Sequence, residues 1–277
     1  MLKKITIFFI LIISLITLFI SSYNITVWMI DKNKTKQHIE KIYDNVVINE
    51  VTSNKNENSE ETTTQVITNT NDIEKTNKNN KYYNYMKINL IDVDFSKLKN
   101  INNEIKGWIK VEGTNINYPF VQTNNNSYYL THSFDKSYNK AGWVFMDYRN
   151  DVKNLNKNTI FYAHGRADNT MFGSLRKTLK SSWFNNKNNH IIRISTENEN
   201  SSWQIFSVYK IPTTSDYLQI YFSDLEFEEF ANKIISRSVF NFNTKINTDD
   251  KIITLSTCHN SIYKIVMHAK LIKINSK

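Results

Sequence analysis

The chain has 277 residues, with 35 Lys+Arg against 26 Asp+Glu, a formal charge of +9. Hydrophobic residues make up 40% and aromatics 13%, enough for one or two cored domains, while 2 Pro and 5 Gly exclude collagen-like and Pro-rich chains. A single Cys excludes a disulfide framework and a cysteine-based zinc ribbon.

Lys3 and Lys4 precede residues 5–30, which carry no charge; residues 5–20 are almost all Ile, Leu and Phe. A bilayer span needs roughly 20 such residues, and positive flanks stay in the cytoplasm. No small-x-small cleavage site follows, so residues 1–30 read as an uncleaved anchor rather than a signal peptide. The expected location is the cell membrane, single-pass, with the N-terminus cytoplasmic and the rest outside. Export argues against nucleic acid as a partner, and the positive charge then faces anionic wall polymers or lipid head groups.

Residues 31–81 read as a polar linker rich in Asn, Thr and Glu, with 31–43 able to continue as a short helix and 45–80 too poor in apolar residues to fold. From Tyr82 the aromatics return, leaving one domain over 82–277. Residues 94–105 have helical spacing through Phe95, Leu98 and Ile101. Strand patterns follow at 108–112, 116–121, 143–146, 159–163, 191–194, 203–209, 252–257 and 265–274. Two helices interrupt, at 171–179 and after Ser223. There Ser223 and Glu226 form a capping box ahead of a stripe of Leu225, Phe227, Phe230, Ile234 and Ile235. Many short strands with few helices imply a mostly β fold closed, or nearly closed, into a barrel.

Cys258 ends the strand pattern at 252–257, which sets its sulfur at a sheet edge or barrel mouth. Most free cysteines are buried small hydrophobes, but a lone thiol outside the cell invites a catalytic reading, and a thiolate needs a base or cation nearby. Of six histidines, His164 is the best partner, because it too ends a strand pattern. His268 lies mid-strand, and His259 follows the cysteine and points to the opposite face. No ligand spacing supports a metal, and no cofactor is expected.

The run TLSTC at 254–258 resembles the TLxTC signature of sortases, the membrane-anchored cysteine transpeptidases of Gram-positive bacteria. YPFVQ at 118–122, NSYYL at 126–130, MDYRN at 146–150, His164 with MFGSL at 171–175, and KIVMHAKL at 264–271 resemble the class B branch in order and spacing. The resemblance covers about 94–274. It implies a closed β-barrel of about eight strands, with an N-terminal helix and a long helix inserted late.

It implies, further, that Cys258 attacks the Thr carbonyl of a C-terminal sorting signal, NPxTN-like or related, on a surface protein. A thioacyl-enzyme forms, and an amine of the peptidoglycan cross-bridge or its lipid-linked precursor resolves it. His164 is implied as general acid and base, and Asn126, Leu130, Tyr162 and Thr257 as substrate groove. The family's third residue is an Arg aimed at the substrate carbonyl; Lys264 stands at that position, keeping the charge without the planar fork. Three readings follow: Lys264 is a weaker donor, another Arg such as Arg166 substitutes, or the enzyme is impaired. The competing functions are a surface-binding module on an impaired sortase fold and a hydrolytic cysteine peptidase.

Overall fold

The computed structural model of the protein describes residues 2–51, 85, 88–258 and 262–277. Most of the expected linker, 52–81, and the domain's starting residue Tyr82 lie outside the described residues, as does His259.

The first element, α1 (Leu2–Tyr43), is one helix of 42 residues. Its apolar part has a mean hydropathy of 2.6 and is not buried against the rest of the chain, so it is long and apolar enough to cross a membrane. The end of the same helix belongs to the folded domain. Thr35 and Ile42 are 1% and 3% exposed. The Thr35 hydroxyl accepts from Asn139 Nδ2 at 3.0 Å, and His38 sits 3.4 Å from Asp135. The Tyr43 ring packs edge-on to Trp108 at 5.8 Å, and its hydroxyl donates to the Asn117 carbonyl at 2.7 Å. Next, β1 (Val47–Val51) pairs antiparallel with β2 (Leu90–Asp94). Residues 31–51 of the expected linker therefore form helix and strand.

The helix expected over 94–105 is shorter, α2 (Ser96–Ile101), because Asp94 ends β2 and Ile105 opens β3 (Ile105–Val111). Then come β4 (Asn117–Val121), β5 (Phe145–Met146) and β6 (Asn158–His164). Residues 171–179, expected as a helix, form a 3₁₀ segment, Gly173–Leu179, followed by the single-turn α3 (Ser181–Phe184). β7 (Ile191–Thr196), β8 (Glu199–Pro212), α4 (Asp224–Ser236), β9 (Ile252–Cys258) and β10 (Tyr263–Ser276) complete the chain.

Eight strands close the barrel in the order β10-β8-β7-β3-β4-β5-β6-β9. The core fills it with Trp108, Trp143, Trp203, Phe120 and Phe161, the last two edge to face at 4.9 Å. Packing is close at Gly107, where an added Cβ would lie 2.5 Å from the Ser195 carbonyl and 2.6 Å from the Phe120 ring. The capping box at Ser223 and Glu226 is present and starts α4. Its buried residues are Phe227, Phe230, Ala231 and Ile234, of which Phe227, Phe230 and Ile234 cluster with Phe206, Tyr209 and Val266 outside the barrel. Leu225 is not part of that stripe: at 68% exposed, it sits in the first turn on the solvent side.

One buried polar chain ties the strands together. Thr254 Oγ1 donates to Asn158 Oδ1 at 2.7 Å and contacts His268 Nδ1 at 2.9 Å. A hydroxyl has one proton, so Nδ1 of His268 is the donor to Thr254 and Nε2 accepts from the Tyr209 hydroxyl, 2.9 Å away. Burial, with the Arg237 charge nearby, pushes His268 down to about 3. His268 therefore stays neutral in the folded chain and is protonated in the unfolded chain below about pH 6.5. The unfolded state binds the extra proton between those values, so stability is complete above about 6.5 and falls as pH drops toward 3. Denaturant titration should show about 2 kcal/mol lost between pH 7 and pH 5 from this residue. His268→Gln should be less stable at pH 7 but lose that part of the slope.

Candidate active site

The site begins with a register. β6 and β9 run parallel, paired from Asn158↔Ile252 through to His164↔Cys258. Both strands end at the same level, so the two residues expected to act together are Cα partners. The strands hold because they are buried along nearly their whole length, as parallel strands require.

His164 is oriented from the other side by the 3₁₀ turn Tyr128–Leu130. Its Nε2 lies 2.7 Å from the Leu130 carbonyl. A carbonyl only accepts, so Nε2 carries a proton and Nδ1 is the basic nitrogen of the neutral ring. Gly142 supports that carbonyl from beneath. Its φ is +59°, and a Cβ there would stand 2.4 Å from the Tyr129 carbonyl oxygen and 2.8 Å from that of Leu130.

Thr257 joins β9 to the start of β10. Its hydroxyl accepts from the Ile265 N–H at 2.9 Å, and its carbonyl accepts from Lys264 Nζ at 3.3 Å. The β9–β10 ladder begins at Val266↔Ser256; the same register carried two residues further sets Lys264 level with Cys258. A cleft of ≈ 130 Å³ opens beside Thr257, walled by Gly165, Arg176, Tyr263 and Ile265. It is large enough for a few side-chain atoms and is open on one side.

Arg166, the other cation considered, is committed locally. Its Nε donates to Thr170 Oγ1 at 3.0 Å and its Nη2 to Asp168 Oδ2 at 3.1 Å. That ion pair is largely buried, with the side chains 11% and 6% exposed.

The expected groove residues divide by environment. Leu130 and Asn126 are half-buried, and the Asn126 side-chain oxygen accepts from the Tyr148 N–H at 3.0 Å. Tyr162 is buried, and its hydroxyl donates to Asp147 Oδ2 at 2.9 Å. Asp147 also takes a two-pronged bond from Arg149, at 2.9 and 2.7 Å. Burial pushes the Asp147 carboxyl up, but the bonds from Arg149 and Tyr162 outweigh it, and the net direction is down. Two residues near the site carried no sequence signal, Arg176 in the cleft wall and Tyr217, whose hydroxyl is 3.0 Å from Ser256 Oγ; Asp147 lay within the MDYRN run, but nothing marked it as the partner beneath Tyr162. Among the described residues no group of three or more His, Cys, Asp or Glu is placed to hold a metal ion.

Comparison with known proteins places this arrangement. The Sortase domain family matches residues 109–272. Sortase B of Staphylococcus aureus (strain NCTC 8325 / PS 47) is 38% identical over 186 residues, spanning 65% of this chain and 75% of that protein. Sortase B of Listeria monocytogenes is 36% identical over 162 residues, spanning 58% and 65%. A Staphylococcus aureus sortase B–substrate complex superposes with a TM-score of 0.61 at 38% identity, covering 65% of this chain and 84% of that one. Sortase B from B. anthracis in complex with AAEK1 gives 0.60 at 40% identity, covering 65% and 84%. The chain belongs to the sortase family, on its class B branch, and is a cysteine transpeptidase.

Gly142→Ala tests the support beneath His164. The added methyl must displace the Leu130 carbonyl or distort a left-handed backbone. We expect kcat/KM to fall by about tenfold or more, a loss of about 1.4 kcal/mol in transition-state stabilisation, and the His164 imidazole resonances to move in the NMR spectrum.

Proposed function

We propose that Cys258 is the nucleophile and His164 its proton-transfer partner; the observation that carries this is the parallel register pairing the two strand ends. The Cys258 thiolate attacks the Thr carbonyl carbon of a sorting signal, forming a C–S bond and a tetrahedral oxyanion. Collapse breaks the C–N bond, and His164 gives a proton to the leaving amine. The acceptor amine then attacks the thioester, His164 takes its proton, the C–S bond breaks as the new amide forms, and the Cys258 thiolate is released beside the protonated His164. No metal or cofactor enters these steps.

Lys264 is the proposed oxyanion donor. Its ammonium is held at the Thr257 carbonyl, the peptide unit leading into Cys258, so its charge lies beside the backbone that carries the nucleophile. Arg166 is the weaker choice, since Asp168 and Thr170 already hold its guanidinium. Asn126, Leu130 and Thr257 supply groove surface. Tyr162 contributes its ring as wall, its hydroxyl being engaged by Asp147. The substrates are surface proteins with an NPxTN-like C-terminal signal, and the acceptor is an amine of the peptidoglycan cross-bridge or its lipid-linked precursor. α1 spans the membrane, with Lys3 and Lys4 inside and the barrel outside.

Steady-state kinetics on one peptide separate the possibilities. Lys264→Ala should lower kcat by roughly 10²-fold, the scale for removing one preorganised donor, while Lys264→Arg should retain or raise it. If Ala at 264 leaves the rate within about twofold and Arg166→Ala destroys it, the role belongs to Arg166. An added oligoglycine amine should divert product from acid to amide; product that stays acid at every amine concentration would mark a hydrolase.

A further inference from the structure

The loop over residues 131–142 has no assigned role, yet two of its side chains grip the anchor helix. Asn139, 1% exposed, donates to Thr35 Oγ1, and Asp135 meets His38. This fixes how far the loop lies from the end of the apolar segment. Residues 5–30 make a helix about 39 Å long at 1.5 Å per residue, close to the ~40–45 Å of a bilayer with its head groups. Thr35 lies only about 6 Å beyond Asp31, and His38 about 10 Å. A loop docked on those two residues is at the membrane surface.

The loop's chemistry suits that position. Tyr138, beside the gripping Asn139, is 62% exposed, and an amphipathic aromatic ring standing in solvent is the side chain enriched at membrane–water interfaces. Lys140 is exposed on the other side of Asn139. Lys136 is half-buried and shares its ammonium with Glu104 at 3.2 Å. On α1, Lys32, Lys34 and Lys36 are exposed in the same zone, against Asp31, Glu40, which pairs with Lys36 at 3.5 Å, and Asp135 of the loop itself. A cation within a Debye length, ~8 Å, of an anionic membrane surface is drawn to it.

We propose that residues 131–142 are a membrane-docking surface, which lays Tyr138 and Lys140 among the anionic phospholipid head groups of the bilayer that α1 crosses. The proposal rests on the reading that α1 spans that bilayer. Its consequence is for the site. The loop follows directly from Leu130, whose carbonyl holds His164, so the groove is set at a fixed height just above the membrane. A peptide whose C-terminal end is still held in the same membrane would reach it without the enzyme swinging on a tether.

The test uses the full chain with Cys258→Ala, so that one engineered thiol carries the fluorophore. Ser137→Cys reports the loop, Asn33→Cys the start of the exposed helix, and Asp44→Cys a point about 16 Å further along it. Each labelled chain is placed in phosphatidylglycerol–phosphatidylcholine vesicles containing a headgroup nitroxide lipid. Quenching at 137 should come within about twofold of that at 33 and be several-fold stronger than at 44. It should also fall relative to 33 in phosphatidylcholine alone. Strong quenching at 33 with 137 no better than 44 overturns the docking surface and leaves the anchor intact. An unchanged 137-to-33 ratio in phosphatidylcholine overturns the role of anionic head groups. No quenching at 33 shows that α1 is not inserted, and overturns both readings.

Discussion

The parallel pairing of β6 with β9 is the constraint on which the rest depends. Parallel strands cannot be joined by a tight turn, and here 87 residues lie between His164 and Ile252. The pairing is one seam of the closed barrel, and seven successive residue pairs hold its register. A slip of one residue would turn every side chain of β9 to the other face. The buried run from Ile252 to Thr257 and the internal chain from Asn158 through Thr254 and His268 to Tyr209 both oppose that slip. The polar chain is as much a register pin as a source of stability, because only one alignment of β6, β8, β9 and β10 satisfies all four side chains.

Two further layers act on those strand ends. From one side, the Leu130 carbonyl sets the tautomer of His164, and Gly142 leaves room for that carbonyl. From the other, Thr257 engages both the backbone of Ile265 and the ammonium of Lys264. The first layer continues into the loop that grips α1. The orientation of the proposed base and the attachment of the anchor helix therefore share one stretch of chain.

Much of this was legible in the sequence wherever the signal is local. The capping box at Ser223 and Glu226 lies within four residues, and β3, β4, β6, β7 and β9 each follow a short run of β-branched or aromatic residues. TLSTC and His164 stood out because each closes such a run. What was hidden depends on distant partners. Val47–Val51 sits in a polar stretch, and only its pairing with Leu90–Asp94 makes it a strand. Leu225 fits the apolar spacing of α4, but its own position in the first turn faces solvent while Phe227 is buried. Residues 173–179 wind as 3₁₀ rather than α, with Gly173 so close to Arg166 that a Cβ would meet the Arg166 carbonyl. Nothing beside Tyr162 in sequence announces that Asp147 will hold its hydroxyl.

The central claim is that the register of β6 and β9 makes one catalytic pair of Cys258 and His164. Intact-mass spectrometry of the full chain mixed with a sorting-signal peptide tests it most directly. The account predicts an acyl adduct that maps to Cys258, forms in the wild type, is released by an added amine, and does not accumulate in His164→Ala. An adduct on any other residue, or peptide cleavage that continues in Cys258→Ala, would contradict it.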